Sequence, residues 1–376
     1  MNETILTYAV IVTIIFYAAI PLAGAFSVRR KWRFFRAQVI EASISREVSY
    51  SNPDRKVDGS SGRYCFIGDL QAIQDDSSIW LNNGKVSVRA EMKDVKLYLL
   101  PTSRSIENED RIEENNVILP QDMPKRIKWE RVYSLTQGTG VVLSGQVYVE
   151  NGTPVFRNTE EQPLLVIIYD GKKESILRRS IWTGRQLNEF WNNLTPLSLI
   201  TGSFFLFVLT FFSYRQFGSD TPTILAAVMS FIPLLPFLPP GIVLYFIFRR
   251  LWRSGRYLRG ERDLLRLPLR YPEYDEYASC REALRDFPDA KLRSCGIIDE
   301  DEVMSIPCRL FSSAKGGSEP PPRHFFEELI IPGDPEELAW KCRSRARKME
   351  ILAAASISLG FVVNGLLFYF VLIWFL

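Results

Sequence analysis

Four long apolar blocks without a charged residue constrain this chain more than any other feature. The blocks are Ile5–Phe26, Leu194–Tyr214, Thr223–Phe248 and Ile351–Leu376, and none of them contains Asp, Glu, Lys or Arg. A helix needs roughly 20 apolar residues to cross a hydrocarbon core of about 30 Å. The sequence therefore predicts a polytopic membrane protein with four transmembrane helices.

The first block has a second interpretation as a cleaved signal peptide, because Ala23-Gly24-Ala25 is similar to a cleavage site. A signal peptide carries its basic residues before the apolar run. Here the preceding residues Met1–Thr4 include no Lys or Arg, and a basic cluster follows the run instead. We therefore expect an anchor that is retained, with its amino terminus outside the cell.

Basic residues beside the blocks predict the orientation of the chain, since Lys and Arg are enriched on the cytoplasmic side of membrane helices. Basic clusters lie at 29–36, 172–185, 249–262 and 341–348. Four crossings place all of these clusters on one side. Both termini are then predicted outside and the two long connections inside, and in a bacterium the membrane would be the cell inner membrane.

The third block contains an unusual group of helix-breaking residues. They are Pro233, Pro236, Pro239, Pro240 and Gly241. Proline lacks a backbone donor and clashes with the preceding turn, so this helix must bend or be interrupted. One interpretation is a kinked packing helix, and the other is a discontinuous helix that lines a transport site. The blocks lack ionisable residues and the chain lacks visible inverted repeats, which favours the kinked helix.

The first long connection, residues 28–193, alternates apolar and polar residues in many places, as β-strands do. Strands are predicted within Arg36–Tyr50, Ser61–Ile73, Ser77–Glu91, Asp94–Pro101 and Gly138–Gly171. Asn83-Gly84 and Asn151-Gly152 predict tight hairpin turns. The acidic stretch at about 102–125 predicts a flexible insertion, and Lys172–Asn192 predicts a helix that leads into the second block. A small barrel-like cytoplasmic domain is expected, with strand edges or hairpins exposed to a partner.

Four residues of this connection carry a resemblance to a known domain. Leu135, Gly138 and Thr139 form an L-x-x-G-T pattern, and Gly145 lies in the strand that follows. Together with the order of span, β-domain, basic helix and span, these residues make 28–212 similar to the GIDE-type, or beside-a-membrane, domain of mitochondrial membrane-anchored ubiquitin ligases and their bacterial relatives. The ligases add a RING, and no Cys/His ligand set follows Phe212 here. The resemblance therefore implies a membrane-tethered β-domain without ligase activity.

The second long connection, residues 249–349, predicts a smaller and mostly helical cytoplasmic module. Helices are expected from Arg249 onward and within Tyr274–Pro288. A further helix should begin with Asp334 as its N-cap and Pro335 at its first position, and should run without a break into the fourth block. The predicted domains are a first transmembrane helix at 1–27, the β-rich domain at 28–193, transmembrane helices at 194–214 and 223–248, the helical module at 249–349 and a last transmembrane helix at 350–376.

Basic side chains next to the first and third blocks are candidates for contact with anionic lipid head groups. They are Arg29, Arg30, Lys31, Arg33, Arg249, Arg250 and Arg253. The alternative for each of them is a solvated position beside the membrane.

Few residues suggest chemistry. The chain has five cysteines without a CxxC pair and one histidine, His324, in a proline-rich loop. The acidic runs Glu107–Asp110 and Asp299–Glu302 are typical of solvated loops. No phosphate-binding loop, nucleotide fingerprint or HExxH motif is present. We expect no enzymatic activity, no cofactor and no metal, and the net charge of +3 does not favour nucleic-acid binding.

The sequence thus favours a non-enzymatic membrane protein that displays cytoplasmic modules for protein–protein assembly. Its expected partners are an unidentified membrane or cytoplasmic protein and anionic lipids, and a homo-oligomer is also compatible. A transporter or channel subunit that uses the proline-broken helix is the first alternative. An accessory subunit of a membrane enzyme complex is the second.

Overall fold

The computed structural model describes most of the chain in two compact units. It covers residues 2–48, 60–74, 77–100, 125–132, 135–171, 173–182, 189–266, 275–288, 290–311 and 329–375. We call one unit the helical unit, and it consists of Met1–Arg33, Leu187–Leu258 and Arg343–Leu376. The other, the sheet unit, consists of Phe34–Gln186 and Arg259–Cys342. The predicted insertion near 102–124 and His324 lie outside the described residues.

Nine α-helices occur in the described residues. They are α1 (Asn2–Thr13), α2 (Ile20–Ile44), α3 (Ile176–Trp182), α4 (Leu194–Phe217), α5 (Thr221–Ser230), α6 (Gly241–Leu265), α7 (Cys280–Asp286), α8 (Glu300–Ser305) and α9 (Pro335–Phe375). A π-helix at Ile14–Ala19 joins α1 to α2. Three stretches, Thr4–Ile44, Leu194–Phe217 and Pro335–Trp374, are long and apolar enough to cross a membrane. The structure thus has a mixed α and β fold with three helices that fit a membrane protein.

The first helix extends well beyond the first apolar block. Helix α2 continues to Ile44, and only Arg46–Glu47 is extended after it. The predicted strand at Arg36–Tyr50 is therefore wrong over most of its length. Five side chains are buried at the spacing of one helix face, namely Phe35, Gln38, Val39, Ala42 and Ser43. This spacing of three and four residues outweighs the short apolar alternation of the sequence.

The third block forms two helices. Helix α5 ends at Ser230 and α6 begins at Gly241, and turns and one short 3₁₀ helix at Leu235–Phe237 lie between them. The structure therefore shows the interruption that the prolines predicted as the alternative to a bend, and not one kinked helix over 223–248. Four prolines within eight residues leave too few backbone donors for a continuous helix.

Thirteen β-strands occur in the described residues. They are β1 (Arg46–Glu47), β2 (Ser60–Gln74), β3 (Ser78–Asn82), β4 (Ser87–Glu91), β5 (Lys96–Leu99), β6 (Lys125–Lys128), β7 (Gly140–Glu150), β8 (Thr153–Arg157), β9 (Leu165–Tyr169), β10 (Asp275–Tyr277), β11 (Lys291–Leu292), β12 (Cys308–Phe311) and β13 (Leu329–Pro332). The first nine form one sheet and the last four another.

Five strands of the larger sheet close into a barrel. The order β2-β3-β4-β8-β7 returns to its start because β2 also pairs with β7. All pairs are antiparallel except β4–β8, which places Arg89 beside Val155. This is a five-stranded Greek-key barrel of the kind found in OB-folds. The expectation of a barrel-like β-domain is confirmed.

Local sequence explains the barrel hairpins and its core. Gly84 has a φ of +83°, and Asn151 and Gly152 have φ values of +49° and +77°, as tight hairpin turns require. Alternate residues of each strand point inward, and Phe66, Leu81, Val88, Leu143 and Phe156 are among those with 0% exposure. These side chains form one continuous apolar core.

The L-x-x-G-T residues form the turn that leads into β7. Gly138 has a φ of +84°, and its N–H donates to the carbonyl of Leu70 at 2.9 Å. The N–H of Leu70 donates back to the carbonyl of Thr139 at 2.9 Å, so the turn is joined to β2 on both sides. Further along β7, a Cβ on Gly145 would lie 2.9 Å from Leu164 Cδ1, so a larger residue there would require the Leu164 side chain to shift. The presence of glycine is thus explained by backbone conformation at Gly138 and by close packing at Gly145.

Strands β9, β5 and β6 extend the sheet beyond the barrel, in that order from β7. The end of α2 packs against this extension. Phe35 lies with its ring centroid 4.2 Å from that of Tyr98, and Gln38 Nε2 donates to the carbonyl of Pro163 at 3.5 Å. Arg63 and Glu41 form an ion pair at 2.6 Å. These contacts hold the last turns of α2 against the sheet.

The second long connection contains a four-stranded sheet with the order β10-β12-β13-β11. The prediction of a mostly helical module missed this sheet, because its strands have only two to four residues and show no long alternation. The predicted start of α9 is confirmed. Asp334 carboxylate oxygens accept from the N–H groups of Glu336 and Glu337, both at 3.3 Å. The helix then continues to Phe375 without interruption, as expected.

Candidate functional site at the broken helix

The interruption between α5 and α6 is the most unusual feature of the helical unit. Its residues, 231–240, include all four prolines of the third block. In an α-helix the carbonyl of Leu235 would accept from the N–H of residue 239, which is a proline and has none. In the structure this carbonyl accepts instead from the N–H of Leu238, at 3.2 Å, and its second lone pair is open to another donor.

Asn364 of α9 supplies that donor. Its side-chain Nδ2 donates to the carbonyl of Leu235 at 2.5 Å and to the carbonyl of Leu238 at 2.8 Å. The Asn364 side chain is almost fully buried, with 2% exposure for the residue. A neutral amide from a neighbouring helix therefore adds a second donor to each of two carbonyls, which also accept from the backbone N–H groups of Leu238 and Ile242 at 3.2 and 3.1 Å.

A close approach of two helices makes this contact feasible. A Cβ on Gly241, the first residue of α6, would overlap Asn364 Nδ2 and would lie 3.1 Å from the carbonyl oxygen of Leu235. A Cβ on Gly360 would lie 3.8 Å from the Cα of Gly241. Small residues allow such backbone-to-backbone packing between apolar helices. Of the five residues predicted to form the kink, Gly241 therefore has a role beyond conformation.

A second irregular segment, the π-helix at Ile14–Ala19, lies in contact with this region. The Tyr17 hydroxyl shares a hydrogen bond with the Ser203 hydroxyl at 2.8 Å and donates to the carbonyl of Ser230 at 3.4 Å. Ser230 is the last residue of α5 before the break. π-Helical turns are frequent at functional sites. The two irregular segments are thus linked by one tyrosine.

The same helices pack closely at the π-helix. A Cβ on Gly202 of α4 would lie 2.6 Å from Phe16 Cβ, and Ser198 Oγ donates to the carbonyl of Phe16. A glycine and a hydroxyl let the two helices approach closely at this crossing, beside the contact between the Phe16 and Phe205 rings, whose centroids lie 5.8 Å apart. The polar atoms of the region are hydroxyls, amides and carbonyls, and the sequence blocks contain no charged side chain.

A buried carboxylate in the turn before α4 joins helices α2 and α6 of the helical unit. Glu189 is 5% exposed and lies 2.5 Å from Arg29 Nη2 and 3.3 Å from Arg256 Nη1. Burial by itself raises the pKa of Glu189, but the hydrogen bond from Arg29 and the charge of Arg256 outweigh it, and the pKa is lowered. The guanidinium of Arg256 also lies over the ring of Trp252, with 4.4 Å from Cζ to the ring centroid.

This triad was not predicted. Arg29 was assigned to lipid head groups, whereas the structure pairs it with Glu189. Glu189 lies between Asn188 and Phe190 and follows a basic helix, so the sequence marks it only as one of many acidic residues. Arg256 lies within an arginine-rich stretch in which periodicity does not distinguish the buried members from the exposed ones.

The other residues predicted to contact lipid are exposed. They are Arg30, Lys31, Arg33, Arg249, Arg250 and Arg253. Helix α9 adds exposed basic residues near the start of the fourth block, and it packs on α6 there, since a Cβ on Gly255 would lie 3.2 Å from Glu350 Cγ. The helical unit thus carries exposed cations on α2, α6 and α9.

The remaining sequence candidates have structural roles where they are described. Residues 299–302 begin helix α8, where carboxylates near a helix start are favourable. All five cysteines are free and buried. Within the described ranges, no group of three or more His, Cys, Asp or Glu could hold a metal ion.

Comparison with known proteins finds no match for this chain among family models, curated proteins or solved structures. The site therefore rests on its own geometry: a helix break at which the carbonyls of Leu235 and Leu238 accept from Asn364, linked through Tyr17 to a π-helix.

Proposed function

We propose that this chain is a non-enzymatic, multi-pass membrane protein that displays its barrel and its four-stranded sheet for protein–protein assembly. The observation that most supports this proposal is the pair of hydrogen bonds from the Asn364 side chain to the carbonyls of Leu235 and Leu238. In transporters with discontinuous helices, the freed backbone groups are available to the ion or substrate. Here the carbonyls of Leu235 and Leu238 accept both from backbone N–H groups and from a side chain of the same protein, which favours a packing role for the break.

Helix lengths support a single crossing by the broken segment. Ten residues of α5 rise about 15 Å, and the eight apolar residues from Gly241 to Phe248 rise about 12 Å. Together they approach the thickness of a hydrocarbon core of about 30 Å. We therefore propose four crossings, with both termini outside and the modules in the cytoplasm.

The sidedness is supported by the exposed basic residues of α2, α6 and α9, because such residues are enriched on the cytoplasmic side. The same residues would contact anionic lipid head groups. The resemblance to GIDE-type domains is part of the proposal. It is supported by the conformational need for Gly138 and the close packing of Gly145.

Native mass spectrometry of the intact protein, cross-linked in cells and extracted in a mild detergent, tests the assembly function. We expect a complex heavier than the 43.3 kDa chain, with a second protein in a fixed ratio. A homo-oligomer without other proteins would restrict assembly to copies of this chain. A monomer that retains a small solute would contradict the proposal.

Transport is the second candidate, and the link from Tyr17 to the carbonyl of Ser230 favours it, because two irregular helix segments meet there. Pro236→Ala separates the two candidates. If the break is a packing element, the variant keeps its topology and changes stability only modestly. If the break is a gate, the folded and inserted variant loses solute flux in proteoliposomes while the wild type retains it.

A further inference from the structure

One open edge of the larger sheet carries a concentration of positive charge. Strand β6 is the last in the sheet order and pairs with β5. Among the described strands none pairs with its other side, so alternate backbone N–H and C=O groups of β6 point outward. Lys125, Arg126 and Lys128 are exposed on this strand.

The cross-strand register increases the charge. Lys96 of β5 lies directly opposite Lys128 of β6, and both are exposed. Like charges at directly opposed positions of a sheet repel one another. Within the described part of the chain, no carboxylate forms an ion pair with either lysine. We call Lys96, Lys125, Arg126 and Lys128 the basic edge.

The basic edge is held in place from behind. Arg126 lies over the ring of Tyr98, with 5.6 Å from Cζ to the centroid, and Tyr98 packs on Phe35 of α2. On the opposite face of the strands Leu97 is fully buried in the barrel core. The strand is therefore ordered before any partner binds, which lowers the entropic cost of binding.

We propose that the basic edge docks an extended, acidic segment of a partner protein, which adds to β6 as a further strand. Main-chain hydrogen bonds to β6 would give affinity, and acidic side chains opposite Lys96 and Lys128 would relieve their repulsion and select the partner. Lysines on an edge discourage pairing with neutral or basic strands, so the same residues provide specificity. This inference rests on the proposed assembly function and names the partner's chemistry.

The test uses the full-length protein in nanodiscs of zwitterionic lipid and a fluorescent peptide of alternating Glu and Val. We expect saturable binding by fluorescence anisotropy that weakens with salt. The same peptide with N-methyl groups on alternate residues keeps its charge but cannot form the ladder, and it should bind at least about tenfold more weakly. Equal binding of the two peptides would reduce the contact to ionic attraction and overturn strand addition.

Charge reversal identifies the site. Lys96→Glu/Lys128→Glu should weaken binding of the acidic peptide about tenfold or more. Lys85→Glu/Lys93→Glu makes the same change of charge at two exposed positions outside the basic edge, and it should leave binding nearly unchanged. Equal losses in the two variants would overturn the assignment. Circular dichroism of both variants confirms folding, and if Lys96→Glu/Lys128→Glu does not fold, Lys128→Gln alone provides the measurement.

Other occupants give distinct results. Binding of the wild type to vesicles with anionic lipid, abolished in Lys96→Glu/Lys128→Glu, without any peptide binding, would replace the peptide with a membrane surface. Peptide binding that appears only after Glu107 and Glu109 are changed to Gln would assign the edge to this chain's own acidic stretch. If the Lys96→Glu/Lys128→Glu protein keeps the full partner set of the intact protein in cells, this inference fails while the assembly function stands.

Discussion

The side-chain amide of Asn364 donates to the carbonyl of Leu235 at 2.5 Å. In an uninterrupted helix the donor to this carbonyl would be the N–H of residue 239, which is a proline and has none. Asn364 and Leu235 lie 129 positions apart in sequence. One buried amide thereby joins the interruption in the third block to the last helix. The interruption and the last helix form a single structural element, which gives direct mutational tests.

Replacement of Asn364 by Ala should destabilise the helical unit. The carbonyls of Leu235 and Leu238 would each lose a side-chain donor but keep a backbone donor, so we expect a cost of about 0.5–1.5 kcal/mol per hydrogen bond. Thermal unfolding of the detergent-solubilised protein measures the effect. Ser356→Ala is the matched control, because Ser356 is partly exposed and its hydroxyl donates within its own helix, to the carbonyl of Leu352. Equal stability of Asn364→Ala and wild type would show that the break does not depend on this amide.

Gly241→Ala tests the close approach of α6 and α9. The added methyl would overlap Asn364 Nδ2, and we expect a loss of about 1–3 kcal/mol from the displaced amide. Gly365→Ala is the control on the same pair of elements. Its Cβ would lie 3.7 Å from Leu235 Cδ1, an ordinary contact, and alanine favours the helix. The prediction is wrong if Gly365→Ala costs as much as Gly241→Ala.

Several parts of the fold follow from local sequence. The Asn83-Gly84 and Asn151-Gly152 turns, most barrel strands and the start of α9 at Pro335 depend on neighbouring residues, and all were predicted. The end of α2 was not, because burial of Phe35 and Val39 depends on a sheet that forms later in the chain. Asn364 is the only asparagine in the fourth block, and a polar residue within an apolar block was the available sign that it has a specific contact. Its partners at Leu235 and Leu238 could not be identified without the helix crossing.

Glu189 offers a test by mutation and by pH. Glu189→Gln would remove the carboxylate that pairs with the buried Arg256 and with Arg29, and we expect a loss on the order of 3 kcal/mol. Glu161→Gln, at an exposed position, should have little effect. Thermal unfolding of these two variants and wild type at pH 7 makes the comparison.

The pH dependence follows from the lowered pKa of Glu189. A depressed carboxyl pKa stabilises the folded state at pH values above the unfolded pKa, near 4.5, and this stabilisation is lost as pH falls through the folded value. Wild type should therefore lose more stability between pH 5 and pH 3 than Glu189→Gln, which has no such group. Parallel pH profiles would contradict the role of the triad.

The buried thiols should be unreactive while the protein is folded. Burial, followed by the hydrogen bond with Cys308, raises the pKa of Cys280 to about 12, and burial also raises the pKa of Cys308. Thiolates are the reactive form, so iodoacetamide at pH 8 should label neither residue until denaturant is added. An exposed cysteine introduced as Lys85→Cys should react at once and serves as the control.

The raised pKa of Cys280 also has a consequence for stability. Because it favours the neutral thiol in the folded state, the free energy of unfolding should fall as pH rises above about 9.

The sidedness of the chain can be tested with the same exposed cysteine. Ser219 lies between α4 and α5, and Lys85 lies at the tip of the β3–β4 hairpin, and both are exposed. A membrane-impermeant maleimide should label Ser219→Cys in intact cells and Lys85→Cys only after permeabilisation, because the basic clusters favour the proposed orientation with the barrel inside. The five native cysteines are buried and should contribute little background.

Labelling of Lys85→Cys from outside intact cells would invert the proposed orientation. Labelling of both positions from outside would show that α4 does not cross between them, and the four-crossing arrangement would then fail.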